Sequence, residues 1–416
     1  MGMTTDELDW DVIVVGGGPG GSAVATLLAA AGSRVLLLDR GEFPRFHIGE
    51  SLLPVCLPVL ARLGVEVDPA WALYKRGAEF VCEQTGRRRA FDFSRALPGP
   101  PRHAWQVDRA GFDAALSTRA EQCGVTRRFG AKVQRVNLGP DEVEVELPDE
   151  VLRARYVIDA TGQNRLLARQ HASAEPLRRF GQTAAFMRFD GLGDAALAEI
   201  GPGHDIRVMI TAAGWGWVIP LAQRRLSVGL VCRESEIASH VLDRYIAGSP
   251  LIGRWTQGAT ASEVGVERNF SFKNLRPHGC RFACVGDAAC FLDPVFSSGV
   301  SLALMGAQAI ADRLAPALRD GCERDEKLMA PVAAFMEQGY GVFASMIDRF
   351  YNTRFVEHFI FGEYGHHERI HDELVSVLAG DVWRNDNGFA RMLMSSRRHE
   401  KPAAAVGGGH SYAGKP

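Results

Sequence analysis

Three glycines spaced as Gly16-x-Gly18-x-x-Gly21 lie between a short apolar run and an Ala/Leu-rich stretch. Glycines in that setting let backbone close on a pyrophosphate, and a helix opening behind them supplies free N–H groups and the positive end of its dipole. Asp39 comes 21 residues after Gly18, where a carboxylate accepts hydrogen bonds from an adenosine ribose. A tight turn with a surface aspartate is the plain alternative. A second candidate lies far along the chain. Gly286-Asp287 closes an apolar run, and Pro294-Val295-Phe296-Ser297-Ser298-Gly299-Val300 leads into an apolar helical pattern. A helix N-terminus there suits an isoalloxazine ring, because its dipole stabilises negative charge on a reduced flavin. Trp215 and Trp217, two apart, point to one face of a strand. No Ser-His-Asp constellation is visible. Cys280, Cys284 and Cys290 contain no CxxC pair, so no metal site is expected. His366, His367 and His371 fall in a charged helical stretch and read as surface residues.

The elements that must position these residues are legible. Trp10 to Val15 has the apolar continuity of a buried parallel strand. A helix is expected from Ser22 to Ala31, ended by Gly32, and a second strand from Arg34 to Leu38. Together they form a β-α-β unit. Strand-forming sequence occupies Tyr74 to Phe93, a helix starts at Asp108, and Val143 to Leu147 alternates as a half-exposed strand. Tyr156-Val157-Ile158 and Cys280 to Val285 are further buried strands, and the pattern is helical from Ser298 to about Leu393.

Composition bounds the rest. At 416 residues, with 46% hydrophobic and 23% charged, the chain has the apolar content for a large core. A net charge of −2 argues against a nucleic-acid-binding role. No apolar run is long enough to span a membrane. The acidic start, Asp6-Glu7-Leu8-Asp9, is unlike a secretory signal, and the eight cysteines read as reduced thiols of a cytoplasmic protein.

The two flavin-facing segments, with Asp159-Ala160-Thr161-Gly162 between them, resemble the glutathione-reductase-type FAD monooxygenases. Three further segments narrow the resemblance to the flavin-dependent halogenases. They are Phe43 to Pro54, which contains Gly49-Glu50-Ser51, the WxWxIP stretch Trp215 to Pro220, and Asp293 to Val300. The likeness runs from about residue 10 to 310 and is closest to the branch acting on carrier-tethered pyrroles or phenolic and polyketide rings. It implies an α/β fold: a Rossmann-like FAD-binding domain (1–75, 101–175 and 271–310), a β-sheet substrate region (76–100 and 176–270) and a helical C-terminal region (311–400); the Gly/Ala/Pro-rich composition of 401–416 reads as a disordered tail.

The resemblance also implies roles. Such enzymes form hypohalous acid from reduced FAD, oxygen and chloride or bromide. Lys75, in Tyr74-Lys75-Arg76-Gly77-Ala78, matches the family's catalytic lysine, and only six lysines accompany 41 arginines in the chain. Either its ammonium polarises the oxidant or its neutral amine forms a chloramine. Gly16, Gly18, Gly21, Asp39, Glu50, Ser51, Arg109, Asp287, Pro294, Gly299 and Val300 would contact FAD. For Glu50 a loop-orienting or surface role is the alternative, and for Arg109 a helix-start salt bridge. Backbone N–H groups of Ser298 and Gly299 suit the halide. Trp215 and Trp217 would partition flavin from organic substrate, or merely pack in the core. Without a second GxGxxG, reduced FAD is expected from a separate NADH-dependent flavin reductase. Arg349, Arg354, Arg369, Arg384 and Arg391, among Phe350, Tyr351, Phe355, Phe359 and Phe361, could meet an acyl or peptidyl carrier protein. The rival functions are a flavin-dependent aromatic hydroxylase, a saturase of the prenyl-reductase type and a non-catalytic flavoprotein.

Overall fold

The chain is described here by a computed structural model covering residues 8–212, 214–233, 240–362 and 367–395. The expected tail, His366 and the Asp6-Glu7 pair lie outside the described residues. β1 (Trp10–Val15), α1 (Pro19–Ala30) and β2 (Val35–Leu38) form the anticipated β-α-β unit. The helix starts at Pro19, so Gly20 and Gly21 lie in its first turn. β1 pairs in parallel with β2 and with the Val151–Asp159 strand, which in turn pairs in parallel with Phe282–Cys284. All four residues of β2 and Val12 to Val15 of β1 are buried or nearly so, as expected for strands covered on both faces.

A second, mostly antiparallel sheet carries Thr183–Asp190, Arg225–Cys232, Gly214–Leu221 and Ile206–Thr211, and continues into β4 (Gly77–Cys82) and β5 (Arg87–Asp92). The same region contains the short helices Asp194–Ile200, Val241–Gly248 and Pro250–Trp255, which bury Ile200, Leu242 and Trp255. β3 (Ala72–Lys75) leaves this sheet and pairs instead with Ala104–Val107, opposing Lys75 to Ala104.

Among the described residues, the α-helices Ser298–Asp320, Ala330–Asn352, Glu368–Leu378 and Gly388–Ser395 follow, with a π-helical turn at Val356–Ile360. One core joins the second sheet to this C-terminal region. Phe80, Phe91, Phe93 and Trp215 from the sheet side meet Phe296, Phe343 and Phe350 from the helical side. Among the described residues no helix is long and apolar enough to cross a membrane.

Candidate active site

A cavity of about 750 Å³ runs from the glycine turn to the second sheet. The three motif glycines do different jobs there. Gly16 has φ +107°, and a Cβ on it would lie 2.2 Å from Ala160 O. A Cβ on Gly21 would lie 1.8 Å from Gly16 O. Those two glycines let α1 settle against β1 and the neighbouring strand. Gly18 caps the helix with an extended backbone, and a Cβ there would meet nothing within 4 Å. Its open side faces the cavity, where a phosphate needs bare backbone. Asp39 also borders the cavity, but its oxygens accept from Gly17 N at 2.6 Å and Gly41 N at 2.8 Å. It therefore fastens the turn as well as bordering the cavity.

Buried atoms on the cavity wall without a partner among the described residues, Gln163 Oε1 and Arg45 Nε, give one acceptor and one donor for a ligand. The bare Gly18 backbone, the helix N-termini and these atoms fit an elongated dinucleotide such as FAD. Asp287, Pro294, Gly299 and Val300 are also on the wall. Burial pushes the Asp287 carboxyl up to about 6. Ser298 is the first residue of its helix and is buried, yet its neighbours Ser297 and Gly299, not Ser298, reach the wall. Ser297 adopts a left-handed backbone, φ 56°.

Arg109 borders the cavity and is engaged by the protein itself. Its guanidinium makes two bonds to Asp113, at 2.7 and 2.9 Å, and donates to Ile48 O at 2.7 Å. The salt bridge is present, and the same arginine anchors the Phe43–Pro54 loop. Burial and the Arg109 charge hold His47 neutral, its pKa lowered to about 4. Glu50 is fully buried and receives Arg188 Nε at 2.8 Å, which excludes a surface position. Arg188 lies 138 residues away and carried no sequence signal.

The loop is stitched to the Ala104–Val107 strand through Leu52 N to Trp105 O and Val107 N to Glu50 O. That strand pairs with β3, so Ser51 and Lys75 converge. Lys75 Nζ donates to Ser51 Oγ and to Leu52 O, each at 2.8 Å, and lies 5.2 Å from the Phe93 ring centroid. Only 1% of the lysine is exposed, so it is no edge-strand surface residue. Burial lowers its pKa from 10.5 to about 7. Lys75 faces its own apolar chamber of about 10 Å³, room for roughly one water, walled by Leu53, Phe80, Phe93 and Phe296. Ile206 and Ser297 border both this chamber and the large cavity.

Trp215 and Trp217 stand side by side on the large cavity, ring centroids 5.9 Å apart. Gly229 faces Trp217 across the sheet, and a Cβ there would lie 2.2 Å from the indole, so the bare glycine makes room for the ring. Trp217 Nε1 donates to Ser227 Oγ and Trp215 Nε1 to Asp293 Oδ1, each at 3.1 Å. Asp293 and Ser297 were inside the segment singled out from sequence but had no assigned role; Ile206 had no signal at all.

The C-terminal arginines divide. Arg384 is paired with Asp381 and Asp386, while Arg349 and Arg391 donate to carbonyls of Ser345 and Asn385. The Arg354 and Arg369 side chains are 79% and 84% exposed, each beside a glutamate of its own helical stretch. Phe350 packs on Phe296, and Phe355 on Phe359 and Phe389.

Comparison with known proteins follows the same outline. The sequence matches the tryptophan halogenase family over residues 11–100 and 94–389. It is 31% identical over 355 residues to a flavin-dependent halogenase of Armillaria mellea, covering 77% of this chain and 70% of that one. It is 26% identical over 408 residues, 90% of each chain, to the pyrrole-2-carbonyl peptidyl-carrier-protein chlorinase of Pseudomonas fluorescens. Among solved structures, the myxobacterial chondrochloren halogenase, a variant FAD-dependent halogenase, superposes with TM-score 0.73 and 29% identity. That match covers 93% of this chain and 97% of the other.

Proposed function

The chain belongs to the tryptophan halogenase family, and from that premise we propose that Lys75 delivers electrophilic chlorine or bromine to an electron-rich aromatic ring held on a carrier protein. The observation that carries this is the separation of two spaces: a flavin-sized cavity behind Trp215 and Trp217, and a water-sized chamber holding a buried lysine. Bound in its reduced form, FAD supplies the electron pair that, with oxygen and halide, yields hypohalous acid. Gly18 and the α1 N-terminus hold the pyrophosphate, and N–H groups opening the Ser298–Asp320 helix hold the halide. The two indoles keep an organic ring from the large cavity, so only a small oxidant passes Ser297 and Ile206.

Two acceptors, Ser51 Oγ and Leu52 O, and the face of Phe93 surround Nζ, an environment suited to the ammonium form. The ammonium donates a hydrogen bond to the hypohalite oxygen. The ring then forms a carbon–halogen bond as the halogen–oxygen bond breaks, and the departing hydroxide and the ring proton leave as water. A carrier-tethered substrate is supported by the Pseudomonas fluorescens chlorinase, whose name specifies one. A single GxGxxG in the sequence supports supply of reduced FAD by a separate NADH-dependent flavin reductase.

The test supplies that reductase, oxygen, and chloride or bromide, and follows candidate pyrroles and phenols by mass spectrometry. A halide-dependent mass gain with the halogen isotope pattern is expected. An oxygenated product would replace this function with aromatic hydroxylation, a hydrogenated one with saturase activity, and no product would leave a non-catalytic flavoprotein. Rapid NADH oxidation by the purified chain alone would remove the separate reductase.

A further inference from the structure

Asp293 precedes the 3-10 turn Pro294–Phe296 and is 1% exposed. Its carboxylate has four partners from four parts of the fold. Oδ1 accepts from Trp215 Nε1 at 3.1 Å and Val295 N at 3.0 Å. Oδ2 accepts from the Tyr351 hydroxyl at 2.7 Å and Gly181 N at 2.8 Å. Trp215 belongs to the wall of the flavin-sized cavity, and Val295 to the loop that presents Ser297. Gly181 stands before the Thr183–Asp190 strand, and Tyr351 near the end of the Ala330–Asn352 helix. A Cβ on Gly181 would lie 2.4 Å from Oδ2, so the bare backbone there makes room for the carboxylate.

The chemistry of the four partners is one-sided. Indole and backbone N–H groups donate and never accept, and the Tyr351 hydroxyl donates here as well. Only a carboxylate offers lone pairs enough for all four. An asparagine would turn its own N–H groups toward donors, leaving buried polar groups unpaired. Sheet geometry alone fixes which face Trp215 occupies, but its ring torsion is broad and needs a polar anchor.

We propose that Asp293 is a positioning residue: its carboxylate clamps the Trp215 indole in the partition and ties that partition to the Ser297 loop and the C-terminal helix bearing Tyr351. The proposal rests on Trp215 separating flavin from substrate. With the clamp loosened, oxygen is still reduced, but it leaves as hydrogen peroxide, taking two electrons from reduced FAD and two protons, instead of serving halogenation.

The experiment uses full-length chain with its seven tryptophans ¹⁵N-labelled at the indole nitrogen. Trp215→Phe identifies the Trp215 resonance. In Asp293→Asn the Trp215 indole N–H should exchange with D2O about tenfold faster or more than in wild type. Halogenated product per oxygen consumed should fall about fivefold or more, with oxygen consumption close to wild type and peroxide making up the difference. Tyr351→Phe removes one donor and should lower the product-to-oxygen ratio less. Unchanged indole protection in Asp293→Asn overturns the clamp, as does a parallel fall of product and oxygen consumption. Should Asp293→Asn not fold, Tyr351→Phe decides: an unchanged ratio overturns the proposal and a lowered one supports it. If wild type itself forms no halogenated product, the halogenase reading fails, and indole exchange still decides whether Asp293 holds Trp215.

Discussion

Burial strips the Lys75 ammonium of most of its hydration, and Ser51 Oγ, Leu52 O and the Phe93 ring replace only part of it. This deficit lowers the lysine to about 7 and gives three predictions. Lys75→Met should retain FAD binding and flavin reoxidation while halogenation falls by about 100-fold or more, the scale of a lost hydrogen-bonding acid. Single-turnover product analysis checks this, and more than a tenth of wild-type product would remove Lys75 from the mechanism. If the ammonium is the working form, product per turnover falls as pH rises through about 7, whereas flavin reoxidation shows no such step. A chloramine route through the neutral amine would give the opposite slope. Stability follows from the same shift. Between pH 7 and 10 the unfolded chain keeps a proton on this lysine that the folded chain has released. Stability relative to Lys75→Met therefore rises with pH, by at most about 1.4 kcal/mol per unit, and the slope vanishes below the folded value. Urea titrations of both chains at pH 6, 7.5 and 9 measure it; a wild-type stability that falls relative to Lys75→Met as pH rises would contradict the burial.

At the scale of elements, the β1–α1 turn separates a cavity-facing glycine from a packing one. Gly18 has open space where a side chain would go, and its backbone is one any residue adopts. Gly18→Val should therefore fold normally and bind FAD about 100-fold more weakly or worse, the ~2.7 kcal/mol expected for closing a backbone phosphate seat. Gly21→Ala should instead destabilise the domain, because its Cβ has 1.8 Å to the Gly16 carbonyl oxygen. Overpacking typically costs about 1–3 kcal/mol and occasionally more, and backbone in the way puts this site at the upper end. Calorimetry and fluorescence titration with FAD distinguish the two, and normal FAD affinity in Gly18→Val would move the pyrophosphate elsewhere. The Phe43–Pro54 loop illustrates the opposite case. Little in its own sequence dictates a shape, and it is held by Arg109 and Arg188, which come from a helix and a strand far along the chain.

For the whole molecule, the open question is how a ring reaches a chamber that holds about one water. Leu378 of the Glu368–Leu378 helix lines that chamber, so the helical C-terminal region helps to close it. A carrier-borne ring should be halogenated at least about tenfold more efficiently than the same acyl group free, since tethering raises its effective concentration. Parallel assays with loaded carrier and free acid measure this, and efficient halogenation of the free compound alone would reverse the preference. The sequence by itself determined the β-α-β unit, the cofactor class and the shared face of the two indoles, because each is written locally. A phosphate turn needs glycines at fixed spacing, a buried parallel strand needs an unbroken apolar run, and two indoles two apart must share a face. The partners of those groups were settled only by tertiary structure. Ser51 meets Lys75 because two paired strands bring them together across 24 residues, Glu50 meets Arg188 across 138, and Asp293 meets Trp215 across 78. Hydrogen bonds between such distant residues leave no periodicity in the chain, because their geometry exists only after two sheets and a helical layer have packed.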